Sequence, residues 1–241
     1  MAIITHILAW DCIIFKQIFK MKNIQIVGLV MLIMNSLNGY TQRSISEGTV
    51  TYDIAIQTKG GDAKATSSLN GAKTIIYLKG GLSRTEMTSA LGIETTIYNS
   101  KSGDAAILKE YSGQKLMVTL TKENWAARNQ KFDGIVFQNT SATKVIEGYT
   151  CKQASTTLKD GSILSVYYTT DLIALNKDYN LAFKNLPGFP LEYEFETGKL
   201  IFKYSSPKID FAPVPIAKFD FPKAGYRIMT YDENKGAKKE D

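Results

Sequence analysis

From Glu47 onward the chain alternates apolar and polar residues with a period of two. In "GTVTYDIAIQT", Val50, Tyr52, Ile54 and Ile56 fall on one side and Thr51 and Asp53 on the other. That is the pattern of a strand with one face buried. The same alternation predicts strands in "KTIIYLKG", "LSRTEMTS", "ETTIYNS", "AAILKEY" and "KLMVTLT". Turn residues separate them at 79–81, 100–104 and 112–114, and connections that short join antiparallel neighbours.

The alternation stops at "TKENWAARNQKFDG". Thr121 offers an N-cap oxygen, Glu123 an acid in the first turn and Gly134 a stop, while Trp125 and Phe132 fall two turns apart on one face. A short amphipathic helix is predicted there. A strand is predicted through "ATKVIEGYTCKQASTTL", placing Val145, Glu147, Tyr149 and Cys151 on one face, then a turn at "KDGS" and a strand in "ILSVYYTT". "DLIALNKDYNLAFKNL" reads as helical or irregular. The last third returns to strands in "PLEYEFETGKLIFKYSSPKIDF", with a turn at Thr197–Gly198, and "VPIAKFDFPKAGYRIMTY" closes the fold. By layer logic this is an α+β protein, one antiparallel sheet of many strands with one or two helices.

The N-terminus breaks the pattern differently. Met21 begins a short basic start at Lys22, an apolar stretch from Ile24 to Met34 and then small and polar residues. That is the layout of a secretory signal peptide, too short in its apolar run to span a bilayer. Residues 1–20 read as an upstream start extension, 21–42 as the signal peptide, 43–231 as a single domain and 232–241 as a charged, disordered tail. The expected location is the periplasm or the outside of the cell, with no membrane anchor in the mature form. Asn139 opens an "NTS" sequon, which is set aside because the leader is of bacterial type.

Composition narrows the function classes. Of 241 residues, 44% are hydrophobic, enough for a sizeable core, and the net charge is +6. The lysines are scattered singly among acids apart from the terminal "KGAKKED", so a nucleic-acid partner is not expected. Removing the leader takes away His6 and Cys12, and Cys151 is then the sole cysteine in a chain without histidine. A nucleophile without a base, or a metal site without further ligands, is excluded on that count. Cys151 is expected to be packing filler. Glu192, Glu194 and Glu196 share one strand face, a spacing that paired-carboxylate catalysis or calcium binding would use, but alternation alone produces it in any half-solvated strand. No catalytic residue, cofactor or metal is expected.

Aromatic residues recur on strand after strand, among them Tyr77, Tyr98, Tyr149, Tyr167, Tyr193, Phe195 and Tyr204. Facing aromatics either line an apolar cavity or fill the space between sheet and helix.

Four short elements carry a family resemblance: "GYTCK" at Gly148–Lys152, "YYT" at Tyr167–Thr169, "GFPLEY" at Gly188–Tyr193 and "PKAGY" at Pro222–Tyr226. The chain resembles a family of secreted, mostly Bacteroidetes domains of unknown function. That family is similar in fold to the lipoprotein-localisation factors LolA and LolB. The resemblance implies a curved antiparallel sheet, a half-barrel whose concave side is closed by helices. It also implies a non-enzymatic binder of an acyl chain or other apolar ligand. The cavity residues expected on this reading are Tyr52, Ile54, Tyr77, Tyr98 and Trp125, with Phe132, Tyr149, Tyr167, Tyr193 and Phe195. The alternative is a structural or protein-interaction module of the cell envelope with a filled core.

Overall fold

In the computed structural model, which describes residues 42–59 and 71–237, the alternation from Glu47 to Leu120 folds into a six-strand meander. Its strands are β2 (Glu47–Thr58), β3 (Ala72–Lys79), β4 (Leu82–Ser89), β5 (Gly92–Asn99), β6 (Ala105–Tyr111) and β7 (Gln114–Leu120), preceded by a short β1 (Arg43–Ile45). Neighbours in the meander are antiparallel throughout. The predicted helix follows as α1 (Lys122–Asn129), capped by the Thr121 hydroxyl, which accepts the Asn124 amide N–H at 3.3 Å. A 3₁₀ turn, Gln130–Phe132, extends it.

The second half supplies β8 (Gln138–Ile146), β9 (Tyr149–Thr157), β10 (Ile163–Thr169), β11 (Leu172–Ala174), β12 (Phe189–Thr197), β13 (Leu200–Asp210) and β14 (Arg227–Thr230), then α2 (Tyr231–Ala237). Twelve strands join in the order β14-β7-β6-β5-β4-β3-β2-β13-β12-β10-β9-β8, and the sheet is not closed. β1 and β11 form a separate pair. The α+β architecture expected from the sequence is the one observed, with two parallel pairs added: β1 with β11, and β14 with β7.

Several local expectations are corrected. The strand predicted through Val145 to Cys151 breaks at Glu147–Gly148, where both residues have positive φ (48° and 80°). A two-residue turn with two left-handed positions matches the twist of the strands it joins. Cys151 therefore lies on β9 opposite Lys144 of β8. The stretch 171–186 contains β11 and two 3₁₀ turns, Lys177–Tyr179 and Leu181–Phe183, in which the Asp178 and Ala182 amides donate to the Asn176 and Asn180 side chains. "VPIAKFDF" holds a 3₁₀ turn, Ile216–Phe219, rather than a strand. Residues 232–237 of the predicted disordered tail are helical in α2. The start extension, the signal peptide up to Thr41 and residues 238–241 lie outside the described residues.

Residues paired directly across antiparallel strands share a face. Tyr52, Thr74, Met87 and Glu94 thus line one face, with Ile76, Thr85 and Thr96, and with Tyr193 and Tyr204 across β12 and β13. Tyr77, Arg84, Ile97 and Ala106 line the other. The second face is covered beside β5–β7 by residues from the segment 211–226, where Val214 and Phe219 pack with Ile97, Ala106, Leu108 and Met117. A charged clamp holds that segment. Glu47 accepts the Val214 N–H at 2.7 Å and pairs with Lys79, which donates to the Val214 carbonyl at 2.9 Å. On the first face the largest core gathers Tyr52, Leu164, Val166, Leu172, Tyr179, Phe183, Leu186, Phe189 and Leu191, all buried.

Candidate functional site

The inner face is not filled along its whole length. Side chains of β3–β5 and of β10, β12 and β13 border one groove of about 340 Å³, which shows that the sheet bends around it. Ile76, Met87, Thr74, Thr85, Thr96 and Glu94 form one wall; Leu164, Tyr193, Phe195 and Tyr204 form the other. Ala182 and Phe183 from one 3₁₀ turn and its capping Asn180, with Lys131 and Phe132 from another turn, complete the lining.

The aromatic wall is braced from behind. Tyr193 stacks on Tyr204 with ring centres 4.3 Å apart, meets Phe183 edge-on at 4.8 Å and meets Tyr52 edge-on at 5.4 Å. Tyr52 is fixed in turn by its hydroxyl, which donates to the Pro190 carbonyl at 2.7 Å. Burial pushes the Tyr52, Tyr193 and Tyr204 hydroxyl pKa values upward, so all three stay neutral. Lys131 pairs with Asp160 at 3.1 Å, and its ammonium lies 4.9 Å from the Phe195 ring centre and 5.3 Å from that of Phe132. Hydrogen bonds to Ser162 and to Lys131 hold Asp160 near pKa 2. Glu94, on the opposite wall, accepts a long hydrogen bond from the Tyr111 hydroxyl at 3.4 Å.

A family model for a domain of unknown function, DUF4412, matches residues 63–185, just over half of the chain. The chain belongs to the DUF4412 family. No curated protein is significantly similar to it. Among solved structures it is similar to PNGF-II, at 16% identity and a TM-score of 0.45 over 79% of this chain and 33% of that one. The DUF4412 chain thus spans about a third of PNGF-II. It is also similar to MucB in complex with MucA(peri), at 9% identity and a TM-score of 0.35 over 73% of this chain and 55% of that one. A third similarity is to the LolA superfamily protein NE2245 from Nitrosomonas europaea, at 10% identity and a TM-score of 0.33 over 73% and 91%.

Of the residues expected in a cavity, three line the groove of this DUF4412 protein: Phe132, Tyr193 and Phe195. Tyr52 lies behind the wall in the core, and Ile54 packs beside it in a cluster with Met87 and Tyr204. Tyr98 and Trp125 stack on each other (4.5 Å, 17°) in a separate cluster with Val118 and Leu120, outside the groove lining. Trp125 and Phe132, predicted to share a helix face, thus enter different clusters because the helix tightens into the 3₁₀ turn between them. Tyr149 is half-buried against the core.

Tyr77 and Tyr167 lie on the opposite face. Tyr77 stands opposite Arg84 with the Lys218 ammonium 4.8 Å from its ring centre; Tyr167 stands opposite Glu192 with Lys144 at 4.3 Å. A period of two tells which residues share a face but not which face turns inward. The groove residues missing from the sequence expectation are chiefly aliphatic or hydroxylated: Ile76, Met87, Leu164, Thr85 and Thr96. Tyr204 was within reach, because the two-residue turn at 198–199 puts it directly opposite Tyr193.

The glutamates of β12 are ion-paired. Lys144 meets Glu192 at 2.6 Å, Lys203 meets Glu194 at 3.0 Å and Lys59 meets Glu196 at 2.5 Å. These are half-solvated strand pairs, a setting with little net energy. Among the described residues no group of three or more His, Cys, Asp or Glu is placed to hold a metal ion, and no helix is long and apolar enough to cross a membrane.

Cys151 is fully buried, and its thiol donates to the Tyr149 carbonyl at 3.4 Å. Burial pushes its pKa up to about 11. Because the unfolded thiol ionises near its ordinary value, the native state holds a proton that the unfolded state loses as pH rises from about 9 to 11, and stability falls across that window. The native protein at pH 8 is expected to react with a thiol reagent only at its unfolding rate. Rapid stoichiometric labelling of native protein would contradict this placement.

Proposed function

We propose that this DUF4412 protein is exported and holds an acyl chain or another apolar ligand in the groove, without catalysing a reaction on it. The observation that carries this reading is the groove itself: about 340 Å³, preformed, with Ile76 and Met87 on one side and Leu164 and aromatic rings on the other. That volume falls within the range of small-molecule sites, roughly 300–1,000 Å³. An acyl chain gains about 0.8 kcal/mol for each methylene it withdraws from water. The ring stack of Tyr193 and Tyr204, braced by Phe183 and Tyr52, is rigid before a ligand arrives, so little ordering opposes that gain.

The filled-core alternative describes the neighbouring region, where Tyr179, Leu186, Phe189 and Leu191 are buried together. It does not account for the open groove. Native mass spectrometry of the protein recovered from a bacterial periplasm tests the proposal. One acyl-sized adduct, released by organic solvent, is the expected result. Bare protein that also takes up no fatty alcohol on titration would leave the groove without a ligand and return the protein to the interaction-module class.

A further inference from the structure

We propose that the ligand of this groove is cationic: a single-chain amphiphile whose ammonium head sits at Glu94 and whose tail lies along the aromatic wall. The assignment rests on the apolar-binding role proposed above and adds the chemistry of the head. Glu94 is the one carboxylate among the described groove-lining residues. It is also the exception among the glutamates of the sheet. Glu47 is met by Lys79, Glu86 by Arg84 at 2.6 Å, Glu110 by Lys115 at 2.7 Å, and Glu192, Glu194 and Glu196 by the lysines already named. Among the described residues Glu94 forms no ion pair, and the one hydrogen bond it accepts there is the long one from Tyr111. Lys109, opposite it in register on β6, makes no such pair.

The facing wall suits the same charge. Ring faces attract ammonium groups, most strongly when water is excluded. The Lys131 ammonium already lies within 5.3 Å of the ring centres of Phe132 and Phe195, and Asp160 neutralises it. Among the described lining residues, Lys131 is therefore the paired charge and Glu94 the one without an ion-pair partner. An anionic head would be repelled by it, and a neutral head would leave it unpaired.

The test compares three twelve-carbon probes on the full chain below their micellar concentrations: dodecyltrimethylammonium, dodecanol and dodecanoate, each displacing a fluorescent apolar dye. The ammonium is expected to bind about tenfold more tightly than the alcohol, and dodecanoate most weakly. In Glu94→Gln the ammonium should lose its advantage over the alcohol. Equal affinities for ammonium and alcohol on the unaltered chain overturn the head-group assignment while leaving the apolar role intact. So does a preference that survives in Glu94→Gln. Failure of all three probes to bind overturns the apolar role itself, and the head-group assignment with it.

Discussion

Phe189→Ala is expected to lower unfolding stability by about 3–5 kcal/mol, enough to drop the melting temperature by on the order of 10 °C. Phe189 is 1% exposed and stacks on Tyr179 with ring centres 5.9 Å apart. It opens β12 opposite Thr169, at the point where the segment carrying the two 3₁₀ turns rejoins the sheet. Truncation removes the transfer energy of a whole ring and leaves a void that a close approach keeps from collapsing: at Gly188 a Cβ would lie 2.0 Å from the Thr169 carbonyl oxygen. Urea denaturation followed by far-UV circular dichroism measures the loss. A change below about 1 kcal/mol would mean that the ring stack is not packed as described and that the plugged part of the hollow is loose.

The second large effect concerns binding rather than stability. Thr85→Phe places a ring inside the groove from the middle of β4, opposite Ile76 on β3 and Thr96 on β5. Thr85 is half-buried and its side chain makes no hydrogen bond with any described residue, so the exchange removes none of those contacts. Stability should change by no more than about 1 kcal/mol, while affinity for an apolar probe should fall tenfold or more. The two variants separate the two parts of the inner face. Phe189→Ala weakens the plug, and Thr85→Phe fills the space the plug leaves open.

Much of the fold was legible because its strands are local. β4 and β6 begin and end where alternation and turn residues place them, at Leu82–Ser89 and Ala105–Tyr111. The Thr121 cap likewise marks the start of α1. What escaped was non-local or conformational. The pairing of β1 with β11 joins residues more than a hundred positions apart, and that of β14 with β7 joins Arg227 to Leu116. The Glu147–Gly148 turn hides inside an alternation that continues across it, since only the backbone angles of those two residues end the strand.

The site was less legible than the fold. Aromatic residues were natural candidates, yet Tyr77 and Tyr167 stack under lysines on the outer face and Tyr98 stacks with Trp125 beneath α1. The groove depends on where the sheet bends and on which rings the 3₁₀ turns bring down onto it. Phe183 enters the lining from a segment whose pattern gives no period, and Met87 and Leu164 enter because their neighbours in register do. Glu94 carried no signal in a strand where polar residues alternate by rule. Its distinction, the lack of a basic partner among the described residues, exists only in three dimensions.

The most direct measurement is a crystal structure of the protein soaked with a bromine-tagged twelve-carbon alcohol, read by the anomalous signal of the bromine. The account predicts a single strong peak bordered by Met87, Leu164 and Tyr204, and its loss in Thr85→Phe. Bromine found only on the outer face, or nowhere on a well-diffracting crystal, would contradict it.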